Sequence, residues 1–370
     1  MVSEPGTIKN LFKDPLDLML DLNLKSHLQH IKSAQNFDLI SATSLNKPLT
    51  IEFYKTWIAN NQHGDMNYLE SHLPLKEDPT KIHESLKSAI TIAFHYFPEI
   101  KPYEQHVPAR SALYAQNEDY HYWLKEKLTA SITYLQSHFP EEHFFPYVDS
   151  GPVLERDLAY QAGLGWFGKN TCIIHSQKGS LFFLAEILTS LEVKEKIPLH
   201  EDLCKTCTKC IDICPTGALS GDKQLNASKC ISYLTIESKT VAPVELRAKI
   251  GDWFFGCDMC QTVCPWNQKK LNVLLPDDNK KSQDLVTTLT PEKEQDLEEF
   301  FKTILDSSNK KIQKMFFGTP MLRSGGFGLK RNAMVVIANR QMRSLKPYVE
   351  KYLDDVKLSE LAQWTLTQLN

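Results

Sequence analysis

The sequence predicts an α+β protein in three parts. They are a mixed α/β domain over residues 1–195, a bacterial ferredoxin-like two-cluster segment over 196–275, and a short helical segment within 276–370. Three observations carry this reading. Strand-like and helix-like apolar periods alternate in the first half. Eight of the nine cysteines crowd between Cys204 and Cys264. Residues 301–370 are mostly helical by apolar period, as in "RNAMVVIANRQM" and "LSELAQWTLTQL".

In chain order, a helical pattern covers about 15–34, followed by "FDLISATSL" as a strand. "SAITIAFHYF" (88–97) is a second strand, rich in Ile, Phe and Tyr. "DYHYWLKEKLTASITYLQ" (119–136) is helical by period. "FFPYVDSG" reads as a strand running into a turn. "PVLERDLAYQAGLG" reads as a helix with Pro152 near its first turn, stopped by Gly163 and Gly165. Residues 276–300 are acidic and polar and read as a surface connection.

With 370 residues the chain is long enough for two or three domains. Charged residues make up 24% and apolar residues 42%, which is the balance of a water-soluble globular protein. A net charge of −3 gives no whole-chain affinity for nucleic acid. The start "MVSEPGTIKNLFKDPLDLML" has no basic-then-apolar signal and no twin arginine, so a cytoplasmic protein is expected. The most apolar window, "SLFFLAEILTSL", is 12 residues long and contains Glu186, too short and too polar for a membrane span.

The run "LCKTCTKCIDICPTGA" places Cys204, Cys207, Cys210 and Cys214 in the pattern C-x2-C-x2-C-x3-C-P. Three thiolates at this spacing reach one [4Fe–4S] cube, and the fourth points to a neighbouring cube. "GCDMCQTVCPWN" supplies Cys257, Cys260 and Cys264, the last again followed by proline. Interleaving the two runs gives Cys204, Cys207, Cys210 and Cys264 to one cluster. Cys214, Cys257 and Cys260 then need a fourth ligand. Cys230 and Cys172 are the candidates, and Cys230, inside the cysteine-rich segment, is the assignment. Cys172 lies among apolar residues and reads as a buried small side chain. Structural zinc is the competing reading, but tandem x2 spacing with two Cys-Pro endings is not a zinc pattern.

Read together, "PYVDSGPVLERDLAYQAGLGWFGKNTCII", "GSLFFLAEILT", "LCKTCTKCIDICPTGAL", "LNASKCISYLTIE" and "FGCDMCQTVCPWN" resemble the epoxyqueuosine reductase family, over roughly residues 37–345. The resemblance implies a cobalamin-dependent enzyme that removes the epoxide oxygen from epoxyqueuosine at the wobble position of tRNA, the last step of queuosine biosynthesis. It implies two [4Fe–4S] clusters recharging the cobalt, and an external low-potential donor, a flavodoxin or ferredoxin. Opening the epoxide leaves an alkoxide, and the matching acid is Asp149. Donation near neutral pH would need its pKa raised by burial away from cations. From spacing alone Asp149 could instead cap the helix near Pro152. The resemblance also places corrin contacts at Lys76, Ala112, Asp149, Arg156, Ile173, Leu184, Ser232, Cys257 and Asp258. Lys76 stands where the family shows Arg, which keeps the charge and loses the planar fork.

Residues 310–346 hold nine basic residues and no Asp or Glu: Lys310, Lys311, Lys314, Arg323, Lys330, Arg331, Arg340, Arg343 and Lys346. Phe316, Phe317 and Phe327 are interleaved, which makes a candidate phosphate-facing patch. "TPMLRSGGFGLKRNAMVVIAN" resembles the family's C-terminal helical segment beside the tRNA, with Gly326 where a basic residue is expected. A monomer is expected. The alternative is a reductive dehalogenase-like corrinoid enzyme acting on a small molecule, which shares the cofactors but has no use for the basic segment.

Overall fold

The computed structural model describes residues 14–19, 21–96, 107–194, 197–221, 223–274 and 291–370. The predicted α+β class is observed. Helix α1 (Leu22–Gln35) begins where the Asp21 carboxylate accepts the N–H groups of Asn23 and Leu24, and ends at Asn36 in the left-handed region. Strands β1 (Leu39–Ser44), β2 (Ser88–His95), β3 (Phe144–Tyr147) and β4 (Phe182–Thr189) form an antiparallel sheet in the order β1-β2-β4-β3.

Alternation along these strands divides the sheet into two buried faces. Ile40, Ile92 and Ala185 lie in register on one face. Leu28 and Ile31 of α1 and Leu124, Leu128 and Leu135 of α2 (Tyr120–His138) pack against them. On the other face Leu39, Ala93 and Leu184 meet Ala159 and Ala162, while Ala89 and Leu188 meet Val153 and Leu158. Helix α3 (Glu155–Gln161) covers that second face. It starts three residues after Pro152 rather than around it, so Asp149 is not its N-cap. Asp157 ties it down by accepting from Thr50 N at 2.7 Å and Thr50 Oγ1 at 2.6 Å.

The cysteine-rich segment is a loop-rich fold with two four-residue helices, Lys209–Asp212 and Met259–Thr262. The strand Trp253–Phe255 pairs in parallel with Arg110–Ser111 and so joins this segment to the first one. The C-terminal helices are α4 (Pro291–Asp306), α5 (Asn309–Met315), α6 (Gly325–Asn339), α7 (Lys346–Glu350) and α8 (Ser359–Gln368). They share one apolar core with Ile231, Leu234, Leu246 and Phe254.

Residues 291–300, read from sequence as connection, are helical. Leu297, Phe301 and Ile304 turn inward, and the acidic residues Glu294, Asp296 and Glu299 line the outer face. Charge on an outward helix face had masked the period. Residues 276–290 of that reading lie outside the described residues.

Candidate functional site

The structure brings the eight clustered cysteines together as two groups. Cys264 lies within electrostatic reach of Cys204 and Cys210, and Cys210 of Cys204 and Cys207. Cys230 lies in reach of Cys214, and both Cys257 and Cys260 lie in reach of Cys230. Among the described residues no three His, Cys, Asp or Glu converge as one bound ion requires. Burial pushes the Cys264 thiol up to about 11 and Cys260 well above its usual range, so ligation must expel protons. Cys172 sits at the seam, within reach of Cys210, Cys264 and Cys260.

Asp149 occupies a turn built to present it. Ser150 N donates to Val148 O at 2.6 Å, and Asp149 at the centre has φ +58°, a strained value for a non-glycine residue. Gly151 lets the chain double back, because a Cβ there would meet the Tyr147 ring at 2.9 Å. The Asp149 side chain keeps 62% of its accessibility. Tyr120 Oη donates to its Oδ2 at 2.8 Å, and His121 Nε2 lies 3.6 Å from the same oxygen. His121 Nδ1 in turn faces Asp119 Oδ1 at 2.6 Å.

The expected raised pKa of Asp149 is not what this geometry produces. Desolvation does push it up, but His121, Tyr120 and Arg323 together outweigh that and hold it below the ordinary value. The proton sits elsewhere. Burial alone would lower His121, yet Asp119 and Asp149 raise it to about 9, so it is cationic at neutral pH. His121 and Tyr120 were read from sequence only as helix residues. The available signal was a Tyr-His pair directly after the N-cap Asp119, at the mouth of α2.

Seven of the nine residues expected at the corrin fall into two sets, and Ile173 and Leu184 lie apart from both. Lys76 lies within electrostatic range of both Asp149 and Arg156. Lys76 is 6% exposed and donates to Val153 O at 2.8 Å, while burial lowers its pKa. Arg156 is exposed and donates to Thr171 O at 2.8 Å. Ala112, Cys257 and Asp258 form the other set, with Ser232 in the helix that Cys230 opens. A Cβ on Gly256 would meet Ala112 Cβ at 2.6 Å, and Asp258 Oδ2 accepts from Leu113 N at 2.6 Å. Tyr114 stands between the sets, within range of both Asp149 and Asp258. Ile173 is buried with Ala159 and Leu164, and Leu184, Phe182 and Phe167 on its margin stay partly open. That partly open apolar floor with a cationic rim fits a flat, amide-edged macrocycle.

The basic segment is only partly a surface. Arg331 is 2% exposed, with its Nη1 donating to Ser238 O at 2.6 Å and Thr240 O at 2.9 Å. It is a buried brace, and its place in the phosphate patch is corrected. Phe316 is likewise core. Arg340 pairs with Asp252 and Glu294, and Arg323 holds Glu237 through two bonds of 2.9 and 3.0 Å. Lys310 and Lys311 remain exposed at the start of α5, and Lys314 lies near its end, beside Phe317 at 68% exposure.

The "4Fe-4S double cluster binding domain" family model matches residues 203–267. Fold and site therefore define an iron–sulfur oxidoreductase with two [4Fe–4S] clusters. The "Epoxyqueuosine reductase QueG, DUF1730" model matches residues 76–150. The epoxyqueuosine reductase of Cyclobacterium marinum is 43% identical over 214 residues, 58% of this chain and 69% of that one. The one from Shigella dysenteriae is 31% identical over 325 residues, 86% and 82% of the two chains. A crystal structure of epoxyqueuosine reductase with an epoxyqueuosine-modified tRNA stem loop aligns with TM-score 0.76 and 28% identity, covering 94% of this chain and 90% of that one. This chain belongs to the epoxyqueuosine reductase family.

Proposed function

We propose that this chain reduces epoxyqueuosine to queuosine in the tRNA anticodon, using cobalamin and two [4Fe–4S] clusters fed by an external low-potential donor. The observation that carries the proposal is the Tyr120–Asp149–His121 group together with Tyr114, which lies within range of both Asp149 and Asp258, the neighbour of Cys257. Its support is family membership together with an acid group beside a two-cluster segment. Lys76, Ala112, Asp149, Arg156, Ile173, Leu184, Ser232, Cys257 and Asp258 would hold the corrin. Cobalamin, when bound, supplies the reduced metal centre for carbon–oxygen cleavage.

The protein's own residues manage protons. At rest the proton is on His121 and Asp149 is a carboxylate. A ring entering over the exposed Asp149 displaces its water and raises its pKa. The proton then passes from His121 to Asp149 and on to the developing alkoxide. Tyr120 holds the carboxylate in place throughout.

We assign the three parts as a catalytic domain (1–195), an electron-relay segment (196–275) and a tRNA-facing segment (276–370). No helix among the described residues is long and apolar enough to cross a membrane. Turnover tests the proposal: anaerobic protein with cobalamin, a strong reductant and epoxyqueuosine-bearing tRNA yields queuosine on digestion. Unchanged epoxyqueuosine would refute it. Replacing Lys310, Lys311 and Lys314 by Ala weakens tRNA binding across all sequences. The salt dependence becomes shallower by about 0.7–0.9 in log–log slope for each phosphate no longer neutralised. An unaltered slope removes α5 from the RNA interface.

A further inference from the structure

A second group of ionisable side chains lies buried behind Asp149. Glu186 sits mid-strand in β4, opposite Thr91 of β2 and Tyr147 of β3. It is 0% exposed, and among the described residues no donor reaches either carboxylate oxygen. Glu155, at the first turn of α3, faces it carboxyl to carboxyl, and one of the Glu155 oxygens is also buried without a donor. The backbone N–H of Asp149 points at the Glu155 carboxyl, so the pair adjoins the acid turn. Thr91 Oγ1 and Ser41 Oγ, on the same face and both 0% exposed, are likewise unpartnered among the described residues.

Two carboxylates cannot face each other in a dry interior unless a proton lies between them. The surrounding charges agree. Lys76 and Arg156 approach the pair with one sign, and Asp149 with the other. Tyr120 faces Glu155 from α2 as a neutral phenol. Lys76 is the buried cation, and it balances one carboxylate, not two. Burial and Asp149 push Glu155 up to about 8.

We propose that Glu155 and Glu186 share one proton and form a buried reservoir that refills the Asp149–His121 pair during turnover. The inference rests on the reaction proposed above. Reduction of an epoxide to an alkene takes two electrons and two protons. Both carbon–oxygen bonds break, the first proton goes to the alkoxide, and the second converts the departing hydroxide to water. The electrons come from the low-potential donor through the clusters. His121 holds one proton and the carboxyl pair holds the other, so the closed site stores both before substrate binds. Glu155 and Glu186 act through Asp149 and are positioning residues.

The Glu155→Gln, Glu186→Gln double variant keeps the shape and removes both carboxyls that can hold the shared proton. In heavy water at pH 7, the infrared carbonyl stretch of a protonated carboxylic acid is expected in the parent protein and absent from the variant. With iron content and tRNA binding retained, the variant is expected to lose about tenfold in rate per pH unit between pH 6 and 8, while the parent rate holds level. Absence of the band in the parent, or its persistence in the variant, overturns the shared proton. Identical pH profiles overturn the supply role. If the double variant does not fold, Glu155→Gln and Glu186→Gln are each expected to keep the band at a shifted frequency, because the remaining acid then faces an amide, and an unshifted band in both overturns the shared proton. The infrared band needs no substrate, so failure of the parent to make queuosine would refute the proposed reaction and leave the proton question decided separately.

Discussion

Asp149→Asn retains both clusters and tRNA affinity and loses about 10²–10⁴ of turnover, the range for removing a positioned general acid. The amide preserves the hydrogen bond from Tyr120 and the turn at φ +58°. It cannot pass a proton from His121 to the substrate. Single-turnover formation of queuosine on bound tRNA is the measurement, and full activity in the variant removes Asp149 from the acid role.

The pH dependence separates this mechanism from one in which Asp149 acts alone. A solitary carboxylic acid with a depressed pKa would be ionised and inactive at pH 7. The pair instead stays active until His121 deprotonates, so the rate falls as pH rises toward about 9. The stability linkage has the same direction. His121 is raised above its ordinary 6.5, so its contribution is complete below that pH and is lost as pH rises through about 9.

How far the sequence speaks depends on the range of the interaction. The cluster ligands are legible because cube geometry writes itself into gaps of two and three residues. The strands of the sheet are legible because alternation is local. The acid pair was not, because His121 reaches Asp149 only when α2 docks beside the turn after β3. Glu186 was visible as a charge in an apolar window, but its meaning lay in Glu155, brought opposite by α3 packing on the sheet. Arg331 shows the converse error. Seen in sequence it is one cation in a basic run. In the fold its guanidinium donates to the carbonyls of Ser238 and Thr240, in the turn after the helix Ile231–Ile236. Charge counts along a chain do not tell which cations turn inward.

Cys230→Ala is expected to bind four irons instead of eight and to lose steady-state turnover. Cys230 opens the helix Ile231–Ile236 and lies within reach of Cys214, Cys257 and Cys260, so three thiolates remain after its removal. Cys172 is the rescue candidate, since it already neighbours Cys260. It also neighbours Cys264 and Cys210 of the other group, and burial holds its thiol protonated at about 11. Capturing it would pull the "KNTC" turn away from Arg156, whose guanidinium is anchored on Thr171 O at 2.8 Å. The two outcomes separate by iron and sulfide analysis with electron paramagnetic resonance of the reduced protein. Four irons with one paramagnet place the second cluster on Cys230. Eight irons in Cys230→Ala that fall to four in the Cys172, Cys230 double variant assign the ligand to Cys172. Loss of the second cluster also separates the acid group from its electron source. Cys230→Ala should therefore retain tRNA binding while failing at reduction, the opposite of the α5 lysine variants, which weaken binding and leave the clusters intact.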